Sequence, residues 1–222
     1  FVHDGGETQK WRLKGHAEAE FWKWLASWAV MIRKPSDLGY EDGAFQLPEL
    51  VTHEVIVKVD APTQGFLFAV EASTLQERIA ARRDTIEDRV AHCAQLVNGS
   101  DEQFVVWCNL NSESDMLRKA VAGSVEVKGA DTAEHKTQSA IDFAEGRIRV
   151  LISKSSIYGF GLNFQNCHNV AFVGLSASWE QDYQAVRRCW RFGEDKSANA
   201  YLMQAETEGT VIANLNGRGT DA

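Results

Sequence analysis

The sequence predicts an α/β protein built on a parallel β-sheet that helices cover on both faces. One observation is the run "FVVWC" at 104–108, which is continuous and apolar, as in a strand buried on both sides. Another is the alternation of such short runs with helical segments in the rest of the chain. Strands that alternate with helices of this length form β-α-β units, and their strands lie parallel in one sheet.

The amino-terminal part predicts one helix and one strand ahead of this alternation. Apolar residues at helical spacing run along residues 17–33: Phe21, Leu25, Trp28 and Ile32. Such a stripe favours a core or a domain interface over a stacking platform for bases. Turn formers follow, and then the alternation in "VTHEVIVKVD" predicts a strand. We expect this strand to belong to a linker or a small flanking subdomain.

A long helix is predicted from Ser73, with Ser73 and Gln76 as a capping box and Asn98-Gly99 as its end. Its apolar residues fall on one side: Leu75, Ile79, Ile86, Val90, Cys93 and Val97.

The remaining elements continue the alternation. Beyond 104–108, helices are predicted over "SESDMLRKAV", "DTAEHKTQSAIDFAEG" and "WEQDYQAVRRCW", and strands over "SVEVKG", "RIRVLIS", "NVAFVGL" and "ANAYLMQ". In such sheets ligands gather at the loops beyond the carboxyl ends of the strands. The loops of interest are therefore residues 109–113, 153–163 and 176–179.

Composition narrows the class of protein. The formal net charge of −8 weighs against a nucleic-acid partner, although a local basic cleft can exist in an acidic protein. No run of 18 apolar residues is present, so we expect no membrane span. Four cysteines without a C-x-x-C pair predict reduced thiols in a cytoplasmic protein, and we expect no metal site.

A glycine-containing segment at 152–164, "ISKSSIYGFGLNF", follows a predicted strand. Gly159 and Gly161 would let backbone amides approach an anion, and Lys154 and nearby serines would add donors. The alternative is a simple crossover loop. A dinucleotide fingerprint would need a third glycine, "GLSAS" lacks the second glycine of a nucleophile elbow, and no Walker A pattern occurs in the chain.

Three arginines lie within the stretch "QAVRRCWRFGE" at 184–194. Arg188 and Arg191 are three residues apart and so share a helix face, with Gln184 one turn earlier. Their guanidinium groups present forked donors that fit phosphate oxygens. The alternative is a surface arginine face paired with nearby carboxylates.

These stretches resemble known motifs. Gln184-Ala185-x-x-Arg188-x-x-Arg191-x-Gly193 resembles motif VI of superfamily 2 helicases and translocases, in the form typical of the Snf-type branch. "SKSSIYGFGLNF" is similar to motif V, and "FVVWCNLNSESDML" stands where motif IV would. The resemblance is strongest to phage and prophage Snf-like helicases and covers residues 75–215. Arg187, Glu194 and Tyr158 depart from the usual motif residues.

The resemblance implies a RecA-like second motor domain at 71–222, preceded by a partly helical linker region at 1–70. Because the sequence begins Phe1-Val2-His3-Asp4, we expect it to be cut from a longer polypeptide. In the family, ATP and Mg²⁺ sit between two RecA-like domains and are held mainly by the first one. The implied partners are DNA and that first RecA-like domain.

Roles for single residues follow from the resemblance. Arg191 would be the arginine finger, with Arg188 as its partner and Gln184 orienting the cleft. Nucleotide contacts are expected from Gly159, Gly161 and Asn163. Nucleic-acid contacts are expected from five residues that follow two predicted strands: Asn109, Asn111, Lys154, Ser155 and Ser156.

The sequence thus predicts the carboxyl-terminal motor domain of an ATP-dependent DNA helicase or translocase, inactive as an isolated fragment. A binding module with the same fold and no ATP cycle is the first alternative. A Rossmann-like dinucleotide enzyme is the second.

Overall fold

The computed structural model describes residues 2–3, 11–30, 32, 34–43, 45–58, 82–176 and 178–205. The chain divides into two compact units, Phe1–Gln46 and Leu47–Ala222. The predicted boundary between residues 70 and 71 lies outside the described residues, and so does the predicted capping box at Ser73 and Gln76.

The first unit is built from short elements. Strands β1 (Val2–His3) and β2 (Trp11–Arg12) pair antiparallel, and helix α1 spans Glu18–Ala26. The predicted helix at 17–33 is therefore too long. After Ala26, the Ser27 hydroxyl donates to the Trp24 carbonyl at 2.6 Å, and the backbone tightens into turns that end the helix.

Helix α1 buries none of its residues, so the stripe, predicted to lie in a core or a domain interface, does not lie in a core along this helix, and the domain interface stays a prediction. Its tryptophans are more than half exposed: Trp22 at 54% and Trp24 at 57%, followed by Trp28 at 63% beyond the helix end. Their rings contact one another, with the centroids of Trp24 and Trp28 5.2 Å apart.

The second unit contains a six-stranded sheet in which every strand pair is parallel. Its strands are β3 (Leu50–Val57), β4 (Phe104–Cys108), β5 (Val125–Val127), β6 (Val150–Lys154), β7 (Asn169–Phe172) and β8 (Ala198–Ala205). Their order across the sheet is β3-β8-β7-β4-β6-β5. The predicted parallel sheet is confirmed.

The prediction that the strand at β3 belongs to a linker or a small flanking subdomain is wrong, because β3 is part of the six-stranded sheet. It pairs with β8 along its whole length, from Leu50 opposite Ala198 to Val57 opposite Ala205. The polar residues of its alternation fit an edge strand with one exposed side.

Helices cover both faces of this sheet. They are α2 (Ile86–Asn98), α3 (Asn111–Ala120), α4 (Ala133–Ala144), α5 (Ser155–Tyr158) and α6 (Trp179–Val186). Successive strand residues point to opposite faces. Val106 of β4 therefore lies in the apolar cluster under α2 and α3, whereas Trp107 lies in the cluster under α4 and α6. Burial on both faces explains why "FVVWC" carries no polar residue.

The stripe predicted on the long helix is buried where the structure describes it. Ile86, Val90, Cys93 and Val97 of α2 are at most 9% exposed. Gly99 follows the last helical residue, Asn98, as the C-cap, and an added Cβ there would lie 3.2 Å from the Gln95 carbonyl oxygen. No helix in the described part of the chain has the length and apolarity to cross a membrane.

The strand register brings two predicted loops together. Cys108, the last residue of β4, lies opposite Lys154, the last residue of β6. Residues 109–111 and 155–163 therefore leave the sheet side by side at its carboxyl edge.

Candidate functional site

Helix α6 positions the arginine stretch. Its first turn is capped by Ser178, whose hydroxyl oxygen accepts a hydrogen bond from the backbone N–H of Gln181 at 3.3 Å. The helix carries Gln184 but ends at Val186. Arg188 and Arg191 thus lie on the turns beyond the helix and not, as predicted, on one helix face.

These turns nevertheless direct Arg188 and Arg191 to the same place. Nη1 of Arg188 donates to the Leu162 carbonyl oxygen at 2.9 Å, and Nη2 of Arg191 donates to the same oxygen at 3.4 Å. The backbone N–H of Phe164 in turn donates to the Arg188 carbonyl at 2.9 Å. Both guanidinium groups therefore face the glycine-containing segment that the sequence analysis paired with them.

Arg188 is held more tightly than Arg191. It is 7% exposed, its Nε donates to the Gln184 carbonyl at 2.9 Å, and its Nη2 donates to Oε1 of Gln184 at 3.2 Å. Arg191 is partly exposed, and its Nε donates to the Arg187 carbonyl at 3.2 Å. Nη1 of Arg191 makes no hydrogen bond to any described residue. One arginine is thus fixed, and the other has a donor to spare.

No carboxylate among the described residues lies within 4.0 Å of either guanidinium group. Burial lowers the pKa of Arg188, and the positive charges of Arg191 and Arg187 lower it further. A guanidinium group keeps its charge under such conditions, so the cluster stores mutual repulsion. An anion bound between these groups would relieve the repulsion.

A surface cleft of about 460 Å³ opens at this cluster, a volume typical of small-molecule sites. Seven residues line it: Gln165, Tyr183, Gln184, Arg187, Arg188, Arg191 and Phe192. The guanidinium carbon of Arg187 lies 5.1 Å from the ring centroid of Trp190 and 5.5 Å from that of Phe192. The cleft is therefore cationic and has an aromatic wall.

The structure brings Gln184, Arg188 and Arg191 together in this cleft, as the sequence analysis grouped them. Sequence reasoning missed Gln165, Tyr183 and Phe192, and it noted Arg187 only as a departure from the motif. Spacing could have indicated Arg187, since residues three and four apart on a helix are neighbours and Arg187 follows Gln184 by three.

None of the three predicted nucleotide contacts, Gly159, Gly161 and Asn163, is among the residues that line the cleft. Asn163 is exposed, and its side chain engages Gln165, with Nδ2 donating to Oε1 at 3.0 Å. Gly161 has φ of +77°, which favours glycine. The N–H of Gly159 is taken by the Ser155 carbonyl at 2.8 Å, because residues 155–158 form a short helix where a loop was expected.

The predicted nucleic-acid contacts line the carboxyl edge of the sheet. Asn109, Asn111 and Ser156 are exposed, Lys154 is partly exposed, and Ser155 is buried at 7% exposure. The register of β4 and β6 makes them neighbours across two adjacent strands. This edge offers amide, hydroxyl and ammonium donors, which are the groups that contact phosphate oxygens.

Residues 88–193 match the family model of the helicase conserved C-terminal domain. The matched segment is just under half of the chain and contains both arginines and the glycine-containing segment. No curated protein sequence matches the chain.

Two solved structures resemble it. The C-terminal domain of the DEAD-box protein Dbp5 is 15% identical, with a TM-score of 0.51, over 61% of this chain and 81% of that one. The C-terminal part of the Fun30 ATPase domain is 19% identical, with a TM-score of 0.49, over 54% of this chain. This chain spans about 41% of the Fun30 chain. The predicted RecA-like α/β fold is confirmed.

Proposed function

We propose that this chain is the second RecA-like motor domain of an ATP-dependent DNA helicase or translocase, of the Snf-type and phage-related kind. It supplies the segments that resemble motifs IV, V and VI. Residues 88–193 match a helicase domain model, which supports the class of protein. The arginine cleft supports the role of this domain within that class.

The observation that carries the proposal is the cluster of guanidinium groups without an anionic partner. Arg187, Arg188 and Arg191 line one cleft, and no described carboxylate lies within 4.0 Å of Arg188 or Arg191. A buried cation costs free energy unless it is paired, so such a cleft favours a phosphate ligand. ATP carries that group, and most of the ATP and its Mg²⁺ would be held by the first RecA-like domain.

The two motif arginines take different roles in this proposal. Arg188 already uses its donors on Gln184 and Leu162, so it serves to hold the cleft in shape. Nη1 of Arg191 makes no hydrogen bond within the part of the chain that the structure describes, and the side chain is partly exposed, so Arg191 is the residue that reaches the γ-phosphate as the arginine finger. A finger stabilises the charge that develops on the transferred phosphoryl group.

The carboxyl edge of the sheet takes the nucleic acid in this proposal. Asn109, Asn111, Lys154 and Ser156 would contact the phosphates of the strand, and Ser155 would contribute through its backbone because its side chain is buried. Gly159, Gly161 and Asn163 connect this edge to the cleft and would lie along the nucleotide.

The test is ATP hydrolysis by the full-length polypeptide that contains this chain, with double-stranded DNA, single-stranded DNA or RNA as stimulator. Arg191→Ala should reduce turnover by about 10³- to 10⁵-fold while ATP still binds. Arg147→Ala is the matched control, because Arg147 is half exposed and pairs with Asp142 outside the cleft. The control should keep normal turnover.

Two results would count against the proposal. Unchanged turnover in Arg191→Ala would remove the finger role. DNA binding by a wild-type protein that never hydrolyses ATP would favour the binding module instead. The isolated 222-residue chain should hydrolyse no ATP.

A further inference from the structure

A buried ion pair lies directly under the predicted nucleic-acid loop. Arg89 of α2 and Glu113 of α3 are 0% and 1% exposed, and Nη1 of Arg89 lies 2.9 Å from Oε1 of Glu113. Burying two charges is costly, and such a pair persists only when its remaining hydrogen-bonding positions are satisfied. The hydrogen-bond partners of these two side chains therefore show which segments of the chain the ion pair connects.

Glu113 holds the loop after β4. Its Oε2 accepts hydrogen bonds from the backbone N–H groups of Asn109 and Leu110, at 2.8 and 2.9 Å. The carboxylate thus caps the first turn of α3 and fixes the start of residues 109–111. Any displacement of this loop must pull on the buried carboxylate.

Arg89 holds two further segments. Its Nη1 donates to the carbonyl oxygen of Val173, just after β7, and its Nη2 donates to the Arg82 carbonyl at 2.6 Å. Its Nε donates to the hydroxyl of Thr85 at 3.2 Å. The guanidinium group therefore joins the end of β7 to the segment that enters α2.

The contacts continue from there into α6. Nη1 of Arg82 donates to the Leu175 carbonyl at 2.7 Å. The next backbone N–H, of Ser176, donates to both carboxylate oxygens of Asp182, at 3.0 and 3.2 Å. Asp182 is 5% exposed and stands on α6 two residues before Gln184.

We propose that Glu113, Arg89, Arg82 and Asp182 form a polar relay that couples the loop at 109–111 to the arginine cleft. They act as positioning residues, and this inference rests on the proposed function. Nucleic acid bound on the loop and nucleotide bound in the cleft bias the same buried bonds, because an unsatisfied buried charge costs too much for one segment to shift alone. The relay is thereby the route through which a bound strand stimulates hydrolysis.

The experiment compares basal with DNA-stimulated ATP hydrolysis in the full-length polypeptide. Arg82→Met removes the hydrogen bond to the Leu175 carbonyl, and Asp182→Ala removes the acceptors of the Ser176 N–H. Arg82→Lys keeps a hydrogen-bond donor at residue 82. The matched control is Arg147→Met. It breaks the contact between an arginine and the carboxylate of Asp142, and neither residue belongs to the relay or to the arginine cleft. Circular dichroism and thermal unfolding confirm that each variant is folded.

We expect Arg82→Met and Asp182→Ala to keep basal turnover within about 2-fold and to lose stimulation by about 5- to 150-fold, the usual range of coupling between two sites. Arg82→Lys should recover part of the stimulation. The double variant should be no worse than either single variant, because both break one relay. Arg147→Met should be stimulated as the wild type is.

The inference is overturned if both variants are folded and stimulated normally, or if basal and stimulated turnover fall by the same factor, which is the result of a purely structural role. Should either variant fail to fold, the affinity for ATP of Arg82→Lys is measured with and without DNA. DNA should change this affinity as it does in the wild type if the relay is intact, and the absence of such a change in a folded Arg82→Lys protein would contradict the inference. Failure of the proposed function looks different: the wild type itself then shows no hydrolysis or no stimulation, and the inference falls with it.

Discussion

Replacing Gly174 with alanine should destabilise the fold through the buried pair of Arg89 and Glu113. A Cβ at residue 174 would lie 2.6 Å from Oε2 and 2.7 Å from Oε1 of Glu113. The carboxylate cannot turn aside without loss, because it accepts from Arg89 on one oxygen and from Asn109 and Leu110 on the other. Only glycine fits beside this carboxylate.

The magnitude follows from what must move. The methyl and the carboxylate oxygen have to separate from 2.6 Å to at least the 3.4 Å of an ordinary contact. Overpacking of this kind costs about 1–3 kcal/mol, and a weakened charge-assisted hydrogen bond adds about 1–2 kcal/mol. We expect the free energy of unfolding to fall by about 2–5 kcal/mol, a large part of the stability of an ordinary domain.

Urea unfolding monitored by circular dichroism measures this loss. The matched control is Gly129→Ala, because a Cβ at residue 129 meets nothing within 4 Å, so this change should not lower the free energy of unfolding and should raise it by at most about 1 kcal/mol. Hydrogen exchange at the amides of Asn109 and Leu110 should accelerate in Gly174→Ala, since their acceptor is displaced. If the free energy of unfolding of Gly174→Ala is no lower than that of the wild type, and hydrogen exchange is unchanged, the reasoning is refuted.

Three further predictions concern single groups. Burial raises the pKa of Asp182 from 3.8 to about 6, so the folded state favours the protonated carboxyl group. The contribution of this group to the free energy of unfolding is therefore present below about pH 4 and is lost as the pH rises through 6. Asp182→Asn should remove that part of the pH dependence, on the order of 2–3 kcal/mol in urea titrations at pH 4 and pH 7. Ser178→Ala should lower the free energy of unfolding by about 1 kcal/mol, because it removes the cap of α6; no change would mean that the cap contributes nothing. All four cysteines are buried, and burial raises the pKa of Cys93 and Cys108 to about 12, so a thiol reagent should label none of them before urea is added. Rapid labelling of the native protein would contradict this.

The order of elements in the second unit was predictable, but the partner of β3 was not. Continuous apolar runs and helical spacing are local, and they gave β4, β6, β7 and β8 nearly as observed. The pairing of β3 with β8 joins residues 50–57 to residues 198–205, and nothing in the alternation of β3 names a partner so distant in sequence.

The arginine site was predictable in its residues and not in its geometry. Spacing and residue type pointed to Gln184, Arg188 and Arg191. Beyond the end of α6 at Val186, Arg188 donates one hydrogen bond to the Leu162 carbonyl, a contact 26 residues away that has no local signal in the sequence. Phe192 lines the cleft and was not predicted to do so, because its position there also depends on the turns that follow α6.

The buried pair was the least predictable feature. Glu113 follows Leu110 by three residues, which is the spacing of a helix cap, but an acidic residue there is normally exposed. Its burial depends on Arg89, 24 residues earlier, and on the absence of a side chain at Gly174.

A negative net charge is compatible with a cationic cleft in the same chain, and together they limit where the chain can attract nucleic acid. A net charge of −8 opposes nonspecific association with nucleic acid, because every phosphate meets a repulsive field over most of the surface. Attraction is then confined to places where arginine or lysine has no nearby carboxylate, and no carboxylate of a described residue lies within 4.0 Å of Arg188 or Arg191. Under the proposed function, such a chain would need a second contact to hold a strand, and the proposed relay from residues 109–111 to α6 would make that contact conditional on what occupies the cleft. A weak, conditional grip would suit the proposed motor, because a motor must release its track in every cycle.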